Sequence, residues 1–376
     1  MDKLPESLLL EILSRLDKSA DVACCRVASK AFNKFFQELR SIKLLCSWCR
    51  TSGSISSSCF KKSHNLAELN LRYAWLSVRN LNPMPMLTTL TLECTILQDQ
   101  HLNQLNKCFP NLQVLELVGV DGLKDPKIHL LNLQTCHLDF FTDPSSLTLI
   151  TRNLIKLRIK SSYLAAIHVD APMLSHFRLR LNTFTHVAEI FTPKSFENLK
   201  TLWLESFCIG SLLSEFPITK TVQNLTLGSG KNAPTNAGDS KLTLGKVFTI
   251  FPNLSSLCVK SSAWSELEAC SNPEGWDILD GSKGLKTIYA YLMLVDPSLT
   301  FSYVACVLDQ CIGLSVVSLL THVVVDTKFK SFMSKCMVRW PRLKWRWGIW
   351  SEYVKDTWIT NLYPTEHHKS SNKPCF

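Results

Sequence analysis

The chain has 376 residues, 46% of them hydrophobic and 19% charged, which is enough apolar material for a large core and argues against a disordered bulk. No run of about 18 apolar residues occurs, and the N-terminus, carrying Asp2 and Glu6, has no signal-peptide layout, so the expected location is nucleus and/or cytoplasm with no membrane partner. A net charge of +10 suits an acidic partner or simply solubility, and the fifteen cysteines, at apolar positions such as Cys136, Cys258 and Cys306, read as reduced small hydrophobes.

The first expected element is a helix over LPESLLLEILSRL, Leu4 to Leu16. At about 100° per residue, Leu8, Leu9, Leu10, Ile12, Leu13 and Leu16 sweep roughly 200°, about twice the arc a helix needs to seat on its own core. Pro5 suits the first turn, Glu6 the positive end of the dipole, and Ser7, Glu11, Ser14 and Arg15 fill the polar side. A polar break from Asp17 to Asp21 leads into VACCRVASKAFNKFF, where Val22, Val27, Phe32 and Phe35 keep helical spacing. Three short helices in about 40 residues are too few to stand alone. The surplus arc therefore either caps the open end of the following domain or lies in a partner's groove.

From Leu66 onward a Leu-x-x-Leu-x-Leu pattern recurs. Eleven copies start at Leu66, Leu87, Leu112, Leu133, Leu154, Leu174, Leu199, Val222, Leu254, Leu285 and Leu314. Their spacing, from 20 residues between Leu154 and Leu174 to 32 between Val222 and Leu254, brackets the leucine-rich-repeat period of about 20–29 residues. Side chains alternate along a strand, so the fourth and sixth positions of each copy should enter a solenoid core and the third, fifth and seventh should face out from a parallel sheet. Longer copies carry helix-spaced apolar sets for the other wall: Leu102, Leu105 and Phe109; Leu244, Val247, Phe248 and Phe251; Phe301, Val304, Ala305 and Leu308. Pro110, Pro252 and Pro341 should end such helices, and the shortest copies leave room only for turns or 3₁₀ pieces. Asparagine is expected three residues past the last leucine, but only Asn182 holds that place, so no regular asparagine ladder is expected.

Outward positions change sign along the chain. Glu68, Glu93, Glu116 and Asp139 stand in the early copies, and Lys156, Arg158 and Lys160 are then followed on the next strand by His176, Arg178 and Arg180. These cations, with no acid interleaved between the two strands and with Trp203 beside them, are a candidate dock for an acidic or phosphorylated protein segment; the alternative is a solvated strand face. Nucleic acid is disfavoured, because aromatic platforms are not interleaved with the cations. Gly228 to Lys241 reads as a loop whose GSGK does not fit a phosphate loop, and the tail from Tyr363 is polar. PRLKWRWGIW looks like a closing copy starting at Leu343 whose register slips, placing Arg346 inward, and the tryptophans around it read as an end cap. The lone CxxC of Cys46 and Cys49 lacks the second pair a zinc site needs, and no base is placed beside Cys24 or Cys25, so no catalytic residue, cofactor or metal is expected.

The opening run, with Leu4, Pro5, Leu8, Leu9, Ile12, Leu16, Asp21, Val27, Ser29 and Lys30 in place and Phe32 where tryptophan is usual, resembles the F-box. Together with the repeats, the whole chain resembles plant F-box/LRR-repeat proteins. The resemblance implies an α/β architecture: a three-helix F-box at residues 1–45, an irregular leucine-rich-repeat solenoid with a continuous parallel sheet at 46–362, and a tail at 363–376. It further implies a non-catalytic adaptor of an SCF-type ubiquitin ligase, bound to the Skp-type linker, and through it a cullin, by Leu4, Pro5, Leu8, Leu9, Ile12 and Leu16. A repeat scaffold independent of ubiquitin is the alternative.

Overall fold

A computed structural model describes residues 8, 11–12, 15–16, 38–45, 54–55, 65–73, 75–76, 82–182, 196–229, 241–269, 283–322, 327–351 and 354–359. One fourteen-stranded sheet runs through them in chain order. Its strands are β1 (Ser41–Leu45), β2 (Glu68–Arg72), β3 (Thr89–Glu93), β4 (Val114–Val120), β5 (Thr135–Phe140), β6 (Lys156–Ser161) and β7 (His176–Leu181). They continue as β8 (Thr201–Ser206), β9 (Asn224–Ser229), β10 (Ser256–Val259), β11 (Thr287–Leu292), β12 (Val316–Thr321), β13 (Lys344–Ser351) and β14 (Val354–Trp358). All neighbours pair parallel except β13 and β14, which close the sheet as an antiparallel pair.

The register follows from the repeat. Leu69, Leu90, Leu115, Cys136, Leu157, Phe177, Leu202, Leu225, Leu257, Ile288 and Val317 are successive partners in one inward row, and Leu71 through Leu319 form the row two residues on. Every first-position residue, from Leu66 to Leu314, is buried. A one-residue slip would turn both rows to solvent, and each buried leucine is worth roughly 1.5–3 kcal/mol, so the phase is strongly held.

The opposite wall carries helices where the repeat is long: α1 (Asp99–Cys108), α2 (Ile209–Ser214), α3 (Leu244–Ile250), α4 (Ser261–Ala269), α5 (Pro297–Gln310) and α6 (Thr327–Arg339). Pro110, Pro252 and Pro341 each follow the C-cap region of a helix, as their missing N–H requires. The short repeats depart from expectation. Instead of turns alone they supply a second parallel sheet, Lys127–Ile128, Ser146–Ile150 and Ala166–Asp170. About 21 residues cannot hold a helix and two crossings, but an extended segment spans the wall and buries alternate residues: Ile128, Leu147 and Leu149, Ile167 and Val169.

A polar ladder exists, though not at Asn182. It stands one residue before the first leucine of five copies, where Asn111, Asn132, Asn153, Asn198 and Asn253 donate their side-chain amides to carbonyls of the preceding repeat at 2.8–3.0 Å. Thr221 takes the same place with its hydroxyl, on the Phe196 carbonyl. At the equivalent Gly313 a Cβ would fall 2.4 Å from the Lys283 carbonyl oxygen, so the chain passes too close for any side chain.

Gly228 and Ser229 belong to β9, so the predicted loop loses its first two residues to the sheet; residues 230–240 lie outside the described set. The closing strand also corrects the reading. Trp345 pairs with Val317 and Trp347 with Leu319, so tryptophans occupy the inward rows while Arg346 pairs with Ser318 and is exposed. The register does not slip; by strand pairing the copy begins one residue earlier, at Arg342, with the large rings in the two inward rows and Leu343 buried beside them. Phe329 and Phe332 of α6 meet Trp347 edge-on, and Trp345 stacks on Trp347 at 5.1 Å.

Candidate substrate-docking face

Strand periodicity and parallel register turn the outward face into three rows of side chains with a spacing of about 4.8 Å between strands. In the row of seventh positions, acids and bases neutralise one another. Arg72 lies 3.5 Å from Glu93, Lys160 donates to Asp139 at 2.8 Å, and Arg180 lies 3.3 Å from Glu205. The seven-residue patch predicted from sequence is thereby reduced: β6 and β7 carry no acid between them, but the flanking strands β5 and β8 do, and they claim Lys160 and Arg180.

The fifth-position row is different. It runs Glu116, His137, Arg158, Arg178, Trp203, Thr226, Cys258 and Tyr289. Among the described residues no acid makes an ion pair with Arg158, Arg178 or the third-position Lys156. Arg178 instead lies over the Trp203 ring, 3.7 Å from its centre. Burial first, and then the neighbouring Arg158, bring the Arg178 guanidinium down to about 10, against 12.5 ordinarily. His176 and His137 are also held below the usual imidazole range, first by burial and then by Lys156 and Lys200 beside His176 and by Arg158 beside His137. Every shift has the sign expected of positive charge crowded on a partly dry surface. The Trp203 indole N–H is buried and has no acceptor among the described residues.

Lys260 is part of this surface and escaped the sequence reading. As the seventh position of the copy that starts at Leu254 it stands one residue past β10, so counting alone could have found it. Its ammonium sits 3.7 Å from the centre of the Tyr291 ring and 5.6 Å from that of Trp203. On its other side its stem passes Gly228, where a Cβ would stand 3.6 Å from the Lys260 Cγ and 3.2 Å from the Glu205 Cγ. Beyond it, Tyr291, Leu320 and Trp350 form a second small core on the outward face. Tyr291 donates to Asp356 at 2.7 Å, Trp358 meets Tyr289 edge-on, and Arg346 lies 4.5 Å from the Trp358 ring centre.

At the other end, Leu8, Glu11, Ile12 and Arg15 are helical, and Glu11 and Arg15 form an exposed ion pair at 2.6 Å. Ile12 and Leu16 are half-buried and pack against the solenoid core, while Leu8 is 40% exposed. Leu4, Pro5 and Leu9, like residues 17–37, lie outside the described residues, as do Cys24, Cys25, Cys46, Cys49 and the tail, while Ser41–Leu45, counted with the N-terminal module from sequence, is the first strand of the sheet. Cys136 is buried and Cys306 half-buried, and burial pushes both thiols up. That environment suits packing better than nucleophilic chemistry.

No protein-family profile matches the chain. A curated relative does so from end to end: an F-box/LRR-repeat protein of Arabidopsis thaliana is 29% identical, with 96% of this chain and the whole of the relative aligned. The resemblance to plant F-box/LRR-repeat proteins is borne out. The long parallel sheet agrees with an LRR solenoid, and the outward rows described above are the strand face of a chain similar to an F-box/LRR-repeat protein.

Proposed function

We propose that the chain is the substrate-recognition subunit of an SCF-type cullin-RING ubiquitin ligase, itself without catalytic residues. The likeness to an F-box/LRR-repeat protein over nearly the full length carries this reading. The N-terminal helix docks to the Skp-type linker through Leu4, Pro5, Leu8, Leu9, Ile12 and Leu16. The strand face captures a protein substrate around Lys156, Arg158, His176, Arg178 and Trp203, with Lys160 and Arg180 held to neighbouring acids. Exposed Leu8 supports a docking ridge, since a large apolar side chain at the front of a helix gains by insertion in a partner's groove.

Ile12 and Leu16, packed against the solenoid, favour a second reading in which this helix only caps the core of a repeat scaffold with no link to ubiquitin. Leu8→Asp separates the two, because it changes the exposed residue and spares the packed ones. Purified from cells, the wild type should bring down linker and cullin and the variant should lose both while keeping its unfolding temperature. Recovery from neither protein rejects the ligase assignment, and equal recovery from both rejects Leu8 as the linker contact.

A further inference from the structure

The fifth-position row does not stop at its cations. Past Arg158, Arg178 and Trp203 come two strands of low relief: β9 offers Asn224, Thr226 and Gly228, and β10 offers Ser256 and Cys258. Tall rings stand on either side, Trp203 on β8 and Tyr289 on β11. The stem of Lys260, passing Gly228 with its ammonium held between the rings of Tyr291 and Trp203, closes one long side. The lining is an indole, a phenol, a thiol, a threonine methyl and lysine methylenes, all suited to an alkyl side chain.

We infer that the substrate is held as an extended segment with a phosphorylated side chain between Arg158 and Arg178 and an apolar side chain about four residues away in the trough over Thr226 and Cys258. The inference rests on the strand face being the substrate dock. Its first half follows from charge. Arg158 and Arg178 are register partners on adjacent strands, each crowding the other, and among the described residues neither makes an ion pair with an acid; Glu116, the acid of their row, stands beyond His137. A carboxylate brings one charge and two oxygens, which a single guanidinium fork satisfies. A phosphate brings close to two charges and three terminal oxygens, enough for both forks. The second half follows from distance. From the gap between β6 and β7 to the gap between β9 and β10 is three strand spacings, roughly 14 Å, or about four residues of extended chain.

The test uses the full-length protein and three peptide libraries that differ only at the central residue, phosphoserine, glutamate or serine, with six randomised positions on each side. Phosphoserine peptides should be retained about tenfold over the other two, as a charge-assisted hydrogen-bond pair of about 1.4 kcal/mol or more implies. Retained sequences should show aliphatic residues at a single position three to five residues from the phosphate. Arg158→Met with Arg178→Met should erase the phosphate preference. Cys258→Arg should erase the aliphatic selection alone, and Thr226→Arg, from the neighbouring strand, serves if the first variant unfolds. Equal retention of glutamate peptides, or an aliphatic selection unchanged by either trough variant, overturns the inference. Loss of linker capture with peptide selection intact would instead count against the ligase reading, because the two readouts come from opposite ends of the chain.

Discussion

Arg178 and Trp203 are register partners on adjacent parallel strands, and the guanidinium carbon of one lies 3.7 Å from the ring centre of the other. This contact ties down one member of the fifth-position cation pair. A double-mutant cycle with Arg178→Met and Trp203→Leu should show a coupling of about 1 kcal/mol in denaturant unfolding, the size of a partly desolvated cation–π contact. Additive single effects would mean that the ring and the guanidinium are merely neighbours.

Asp139 and Glu205 restrain the patch by neutralising Lys160 and Arg180. Asp139→Asn with Glu205→Gln should therefore strengthen capture of an acidic partner and steepen its salt dependence, while stability changes by less than about 1 kcal/mol, since the pairs are part-exposed. Affinity measured at two salt concentrations checks both. Weaker capture would place the acids themselves in the partner contact.

The turn ladder predicts local costs. Asn132→Ala and Asn153→Ala each remove an amide donor from a carbonyl one repeat back, and each should cost about 1 kcal/mol in chemical denaturation. Gly313→Ala should cost more, roughly 1–3 kcal/mol, because its Cβ would meet the Lys283 oxygen and the repeat must shift to admit it.

Trp347 is the anchor of the closing layer, in contact with Trp345, Phe329 and Phe332. Trp347→Ala should destabilise by about 3–5 kcal/mol, as expected for a large buried ring. Arg346→Ala, one residue away but facing out, should cost under about 1 kcal/mol through loss of the Trp358 contact. Reversed magnitudes would restore the slipped register that counting from Leu343 predicts.

His137 and His176 titrate below their ordinary value in the fold, so the unfolded chain binds more protons than the folded one between the lowered values and about 6.5. Stability should thus rise with pH across that window. Glu266 and Glu268, raised by burial, act in the opposite direction above about 4.5. Comparing wild type with His137→Gln/His176→Asn isolates the histidines: the variant should gain relative stability as pH falls below 6.5. A constant difference would mean that neither imidazole is displaced.

Much of this was legible in the one-dimensional pattern. A strand has two faces and a stacked repeat has one phase, so the eleven leucine frames determined the inward rows, the outward rows and the helices of the long repeats. The same counting, carried through the seventh positions, would also have revealed the Asp139–Lys160 and Arg180–Glu205 pairs and Lys260. The turn ladder, too, is written in the Asn-Leu pairs that open six copies, five of which make the bond, at the opposite end of the motif from the place where asparagine is expected.

What the sequence by itself determined is the order of the rows, because order needs only periodicity. The tertiary structure decided which charges remain uncompensated and where the surface is low. Those depend on reach across strands: the Lys260 ammonium lies against Tyr291 of one neighbouring strand and 5.6 Å from the ring centre of Trp203, two strands the other way, and Trp345 and Trp347 fill the inward rows beside buried Leu343 because a terminal layer has no next repeat to cover it and takes the largest rings available. Neither outcome is local to any one copy, so no single repeat could have announced it.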